Sequence, residues 1–386
     1  GGYLYFTRGM LAQLNSEAEL VGILGHEMGH VTARHSASQQ SQAQLGQLAL
    51  MGGMIASQEF ARYAQFAMQG MQLLFLKFSR DHERQSDDLG VEYASKLGYD
   101  AHQMADFFRV LDRMNMESDR GGVPTFLSTH PNPDDRYNAV HRQADRWQNN
   151  LNNEEWTVNR DRYLQMLDGM VYGDDPRQGY VENNIFYHPD LRFRFSYPSG
   201  WKLENSPLQV AIAPPNGKAI MVFSISREAS LDAAARESIN GMGLTYVDGR
   251  NTRVNGLPAR VVFSRQYPQN SYQSSRQPEP VAVISYFISY GDNIYVFHGA
   301  SLESDFRSLR NSFESTMGSF GRLSDQSKIN VQPDRISIKT VPRTAPLQDI
   351  FASFGVPRDK MSEMALLNNL ELSGRVRAGR QIKVVE

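Results

Sequence analysis

The sequence predicts a multidomain chain: a mainly α-helical first domain with a small edge sheet, an α+β middle domain and a small βααβ unit at the C-terminus. Its 386 residues are more than twice the ~150 of a typical domain. Apolar spacing is helical from Ser16 to about Asp168, then gives way to short alternating strands between Phe186 and Phe320. A linker rich in Ser, Asp, Gln and Lys, Ser324 to Pro333, leads to a last segment with its own strand, helix, helix, strand rhythm. The expected domains are therefore 1–175, 186–322 and 334–386.

Along the chain, Tyr3 to Thr7 has the aromatic and β-branched content of a strand, which is the expected edge sheet. Ser16 and Glu19 form a capping-box pattern ahead of Leu20, Val21, Ile23 and Leu24, so a helix begins there and enters the core. Two apolar runs follow, 36–58, broken by Gly52 and Gly53, and 63–76. Gln and Ser interrupt them short of the ~18–20 apolar residues of a spanning helix, which favours packing over lipid. Charged amphipathic helices are expected over 79–96 and 100–116, a turn over 121–124 and more helix over 132–170. In the middle region Asn216-Gly217, Asn255-Gly256 and Gly291-Asp292 separate strands, with helices at 231–242 and 303–317.

Composition narrows the chemistry. The 40 basic and 42 acidic residues leave a net charge of −2, so nucleic acid is not an expected partner. With no cysteine, disulfides, thiolate zinc sites and cysteine nucleophiles are all excluded, and any metal site must use His, Asp or Glu. No basic stretch followed by an apolar one opens the sequence, so a targeting segment is absent there or already removed.

His26-Glu27-Met28-Gly29-His30 lies inside the first long helix. Residues at i and i+4 share a helix face, so both imidazoles reach one cation with Glu27 beside it. Zinc hydrolysis needs two such nitrogens, a third ligand, and a base for a water acidified by the metal. The metzincin pattern is excluded, because Ala33 and Ser36 occupy its Gly and third His positions. His35 is one residue off and sits about 140° around a continuous helix from His30, which suits support better than ligation. A later segment, Ser79 to Asp87, offers Glu83 and Asp87, again at i and i+4. Glu83 can bind metal while Asp87 accepts a hydrogen bond from the outer nitrogen of His26; Asp81, His82 and Asp88 compete for these roles.

The run from Gly25 to His35, with Ser79-Arg80, Glu83, Asp87 and Gly90, resembles the gluzincin metallopeptidases that include HtpX, Oma-type and CAAX-prenyl proteases. It is most similar to their soluble, periplasmic, BepA-like branch. The resemblance covers about residues 1–150 and implies one zinc ion per chain held by His26, His30 and Glu83, with Glu27 as general base and Asp87 in support. Gln85 and Ser86 replace the family's Glu and Ala, and neither is expected to affect the site. The family's Ser-Thr-His-Pro segment and following Arg match Ser128 to Pro131 and Arg136. His130 then either stabilises the tetrahedral intermediate or fills the open zinc position in a resting form. Arg136 binds a substrate carbonyl or holds a helix, and Tyr3 to Thr7 accepts an extended substrate by strand addition.

His188 and His298 stand alone among strands and read as structural. Phe195 to Trp201 and the helix from Phe306 to Phe313 weakly resemble PsbP-like domains. The last segment resembles a degenerate LysM module, with Arg343-Thr344-Ala345 where Gly-Asp-Thr is usual, and implies peptidoglycan as a partner. The expected function is a zinc endopeptidase acting on misfolded or envelope proteins in the periplasm of a Gram-negative bacterium, with peripheral contact at the outer membrane. The alternative is a chaperone-like or docking protein whose protease site is latent or vestigial.

Overall fold

The computed structural model describes residues 3–38, 78–117, 130, 135–151, 153–267 and 279–386. It forms two compact units, residues 1–173 together with 334–386, and residues 174–333. The segments expected as first and third domains thus fall in one unit. Nearly all of the apolar runs 36–58 and 63–76, and the turn at 121–124, lie outside the described residues.

In the first unit, Tyr3 to Thr7 is extended but pairs with no strand among the described residues, so the expected edge sheet is not formed among them. Tyr3 and Tyr5 are 80% and 88% exposed. Thr7 instead caps a short helix, α1 (Arg8–Gln13). Helix α2 (Glu17–Thr32) starts as its capping pattern requires: Ser16 Oγ accepts from the Glu19 amide at 3.1 Å. Glu19 returns its bond one residue earlier than a capping box, accepting from the Asn15 amide at 2.7 Å. Helix α3 (Arg80–Lys96) is capped by Ser79, whose Oγ accepts from the His82 amide. Helices α4 (His102–Glu117), α5 (Arg136–Leu151) and α6 (Arg160–Leu167) complete this side. The helix expected over 132–170 is broken because Thr157 bridges back to Tyr99 and Asn159 takes a left-handed conformation (φ 49°).

The second unit carries two antiparallel sheets. The smaller has the order β1 (Tyr180–Glu182), β2 (Ile185–His188), β3 (Phe193–Ser196), β11 (Gly321–Arg322). The larger is ordered β4 (Lys202–Asn205), β5 (Val210–Ala213), β6 (Ala219–Ser226), β10 (Asn293–Leu302), β9 (Val281–Tyr290), β8 (Leu257–Gln266), β7 (Thr245–Val254). Asn255 and Gly256, both at positive φ, make the two-residue turn between β7 and β8. Helix α7 (Leu231–Gly241) packs Ala234 and Ala235 with Val262, Phe287 and Val296. Helix α8 (Glu303–Gly318) buries Phe313 and Met317 with Phe223 and Phe297, and α9 (Gln326–Ile329) ends the unit. Neither histidine is catalytic in setting: His188 Nδ1 accepts from the Leu191 amide, and His298 bonds Ser285 across β9 and β10 at 2.8 Å.

The C-terminal segment pairs β12 (Ile336–Thr340) antiparallel with β15 (Gln381–Val385), around α10 (Leu347–Ser353) and α11 (Met361–Leu367), with β13 (Ala345–Pro346) against β14 (Arg375–Val376). Its Leu347, Phe351, Leu367 and Ile382 belong to one continuous buried cluster with Leu14, Ile23, Phe107 and Leu164. Polar contacts reinforce the join. Lys383, fully buried on β15, donates from Nζ to the carbonyls of Ala12 (2.6 Å) and Leu14 (2.8 Å), just before the cap of α2. Burial pushes the Glu19 carboxyl up to about 8 and the Lys383 ammonium down to about 7, each opposed by the charge of the other.

Removing one partner of such a pair leaves buried charge and carbonyls unsatisfied. Lys383→Met is therefore expected to cost about 3–5 kcal/mol, read as a lower denaturation midpoint of the full chain. Adding Glu19→Gln should recover part of that loss; strict additivity of the two substitutions would show that the residues do not interact.

Candidate metal centre

Small residues set the spacing of α2 and α3. A methyl at Gly25 would stand 3.0 Å from Gly90 Cα, and one at Gly90 would stand 2.9 Å from the His26 amide nitrogen. At Gly29 it would meet Ser86 Cα at 3.0 Å. Only glycines allow this backbone approach, and it brings the i, i+4 pair of α2 against the i, i+4 pair of α3.

His26, His30, Glu83 and His130, all buried, form one cluster whose donor atoms lie within 4.8 Å of one another. The two Nε2 atoms are 3.1 Å apart. Glu83 Oε1 is 3.3 Å from His30 Nε2 and 3.0 Å from His130 Nδ1, while Glu83 Oε2 is 3.6 Å from His26 Nε2. A tetrahedral cation with bonds of ~2.0–2.1 Å holds its donors about 3.3 Å apart, and these separations match it. Glu83 Oε2 is buried with no hydrogen-bond partner, a cost that a cation would remove. The donor set fits one zinc ion.

The outer contacts fix how the rings face. His26 Nδ1 lies 2.8 Å from Asp87 Oδ1, which leaves Nε2 as the inward lone pair. Arg136, itself buried, donates to both Asp87 oxygens at 2.6 and 2.7 Å and reaches Glu83 Oε2 at 3.3 Å. Its guanidinium also lies over the ring of Phe108 at 3.7 Å. Burial opposes ionisation of Glu83, but hydrogen bonds from His130 and His30 and the charges of His26 and Arg136 outweigh it, holding the carboxyl well below its usual range. Asp87 is likewise lowered, burial being outweighed first by Arg136 and then by His26. Burial lowers His26 and His30, favouring the neutral rings that bind metal.

The structure thus brings together His26, His30, Glu83, Asp87, His130 and Arg136. Glu27, about a quarter exposed, sits at the rim with Oε1 3.7 Å from His130 Nε2. Asp81 is 90% exposed, and neither it nor His82 or Asp88 joins the cluster. Sequence reasoning missed Gln85 and Ser86, which both touch His35. A sequence signal existed: these are the two positions where α3 departs from the family pattern.

Residues 1–144 match the family model described as peptidase family M48. The N-terminal region is similar to that family. Over 153 residues, 37% of this chain, it is 31% identical to a protein of Vibrio cholerae serotype O1 described as a β-barrel assembly-enhancing protease. The mitochondrial metalloendopeptidase OMA1 of Arabidopsis thaliana is 30% identical over 141 residues, 34% of this chain and 25% of that protein. The chain spans about a third of the length of the curated bacterial relatives it matches, 31% in the Vibrio case. Among solved structures, cyanobacterial PsbP from Synechocystis sp. PCC 6803 has a TM-score of 0.29 at 13% identity, covering 38% of this chain and 91% of its own, a likeness too loose to assign anything. The matched residues contain the seam of α2 and α3 and every member of the cluster.

Gly90→Ala should separate the two helices, costing about 1–3 kcal/mol of stability and weakening zinc retention measured by chelator competition. Unchanged retention would mean that the seam does not set the donor spacing.

Proposed function

We propose that this protein is a zinc-dependent endopeptidase. The observation that carries the reading is the buried cluster of His26, His30, Glu83 and His130, with the partly buried rim residue Glu27 beside it. His26, His30 and Glu83 would hold the ion. When bound, zinc supplies Lewis acidity toward a peptide carbonyl and acidifies a water. Glu27 is placed to take a proton from that water and to deliver it to the leaving amine. Asp87 keeps His26 in the tautomer with Nε2 inward, and the Arg136 guanidinium offsets the repulsion of Asp87 and Glu83 by standing between them.

His130 favours a latent resting form. Its Nδ1 is 3.0 Å from Glu83 Oε1 and 3.4 Å from His26 Nε2, at the corner of the donor set where a water or a carbonyl would sit. Activity then requires His130 to withdraw, after which its N–H can stabilise a developing oxyanion. That resting form also accommodates a chaperone-like role.

The substrates proposed are polypeptides of the cell envelope, a reading supported by relatives named for β-barrel assembly. The proposed location is the periplasm, with outer-membrane association and peripheral membrane contact. No helix among the described residues is long and apolar enough to cross a membrane. Peptidoglycan is proposed as a partner of 334–386, whose strand, helix, helix, strand order supports it. Because this segment shares a core with the peptidase helices, the assay is co-sedimentation of the full chain with purified sacculi. Failure to pellet sinks the idea.

Glu27→Gln should keep stoichiometric zinc while lowering casein cleavage about 10²–10⁴-fold. Activity that survives the substitution would remove Glu27 from the mechanism. His130→Ala should raise cleavage; a drop would instead assign His130 to transition-state stabilisation.

A further inference from the structure

His35 is not where a continuous helix would carry it. Helix α2 ends at Thr32, with Ala33 as its cap, and Arg34 takes a left-handed conformation (φ 57°). Beyond this break, which helical residues follow from 35, His35 Nδ1 lies 3.0 Å from His30 Nδ1 and the ring is 2% exposed. Three contacts from α3 hold it there. His35 Nε2 is 3.0 Å from Gln85 Oε1, Ser86 Oγ is 3.3 Å from His35 Nδ1, and His82 stacks on the ring at 4.2 Å and 18°.

The bonding capacity of these groups orders the protons. The Gln85 carbonyl oxygen only accepts, so the proton between it and His35 belongs to His35 Nε2. A neutral His35 then has its lone pair at Nδ1, and the bond to His30 must be donated by His30 Nδ1–H. That leaves the Nε2 lone pair of His30 pointing at His26 Nε2 and Glu83, inside the cluster. We propose that His35, anchored by Gln85 and Ser86, is a positioning residue that fixes His30 as the metal-binding tautomer and sets how tightly the site holds its ion.

The inference rests on the zinc reading above and adds a device to it. His26 is oriented by a carboxylate, Asp87, whereas His30 is oriented by a neutral imidazole whose own acceptor is an amide. A neutral acceptor raises ligand basicity less than an anionic one, so Gln85 tunes the site toward weaker retention than a carboxylate there would give.

The test measures zinc affinity of the full chain by chelator competition, with the Co(II) absorption spectrum as a second readout. His35→Ala should weaken zinc about ten- to a hundredfold and alter the Co(II) bands. Gln85 is exposed, so its variants keep the fold even where His35→Ala does not. Gln85→Leu, which removes the acceptor, should weaken zinc severalfold, and Gln85→Glu, which restores one with charge, should bind at least as tightly as wild type. Wild-type affinity in Gln85→Leu, or equal weakening in Gln85→Leu and Gln85→Glu, overturns the proposal. Wild type that binds no zinc overturns the endopeptidase reading itself, so the two failures are distinct.

Discussion

A methyl group does not fit in the seam between α2 and α3. Gly25 and Gly90 meet there backbone to backbone, with Gly29 over Ser86. Interhelical distance is thereby set by main-chain atoms, which have no rotamers to relax, rather than by side chains that do. The chemistry depends on this. Imidazole and carboxylate donors on two helices meet within a zinc bond length of a common point only if the helices stand closer than the 8–10 Å usual for packed side chains. The seam is what turns two i, i+4 pairs into a single site.

Holding so much charge out of water requires compensation at each group. Glu83 and Asp87 carry two negative charges, and Arg136 returns one positive charge, hydrogen-bonded to Asp87 and ion-paired with Glu83. The residual negative charge, together with a Glu83 oxygen that has an ion-pair neighbour but no hydrogen bond, makes the cluster unfavourable when empty and favourable around a dication. Stability and metal affinity are therefore linked: zinc adds to the folding free energy as its concentration exceeds its dissociation constant.

The sequence carried much of this in short-range form. His26, Glu27 and His30 were legible because helix periodicity converts spacing into a shared face, and Glu83 and Asp87 followed by the same arithmetic. The strands of the middle unit were legible from period-two alternation and turn dipeptides such as Asn255-Gly256. Three features were not. The break at Arg34 uses a left-handed residue that is not glycine, so no local signal announced that His35 meets His30. Tyr3 to Thr7 has strand composition, but composition does not supply a partner strand. Lys383 lies in an apolar strand, where a lysine ordinarily marks the solvent side; its burial depends on carbonyls some 370 positions earlier in the chain.

That last contact changes how the C-terminal segment relates to the helices that carry the cluster. The carbonyls held by Lys383 immediately precede Ser16, the cap of the helix that bears His26 and His30, and Glu19, in the first turn of that helix, faces the same buried ammonium. Asn368 secures Lys383 in turn, its side chain bonding both the amide and the carbonyl of that residue at 2.8 Å. A displacement of β15 is thus transmitted through hydrogen bonds to the start of α2. The segment supplies apolar core as well, with Leu347, Phe351 and Leu367 in the same buried cluster as Phe107 and Leu164. Deleting it would expose that surface and release the cap of the metal-bearing helix together. Loss of the proposed activity on truncation would therefore report damage to the core around the cluster before it reported loss of any ligand bound by the segment.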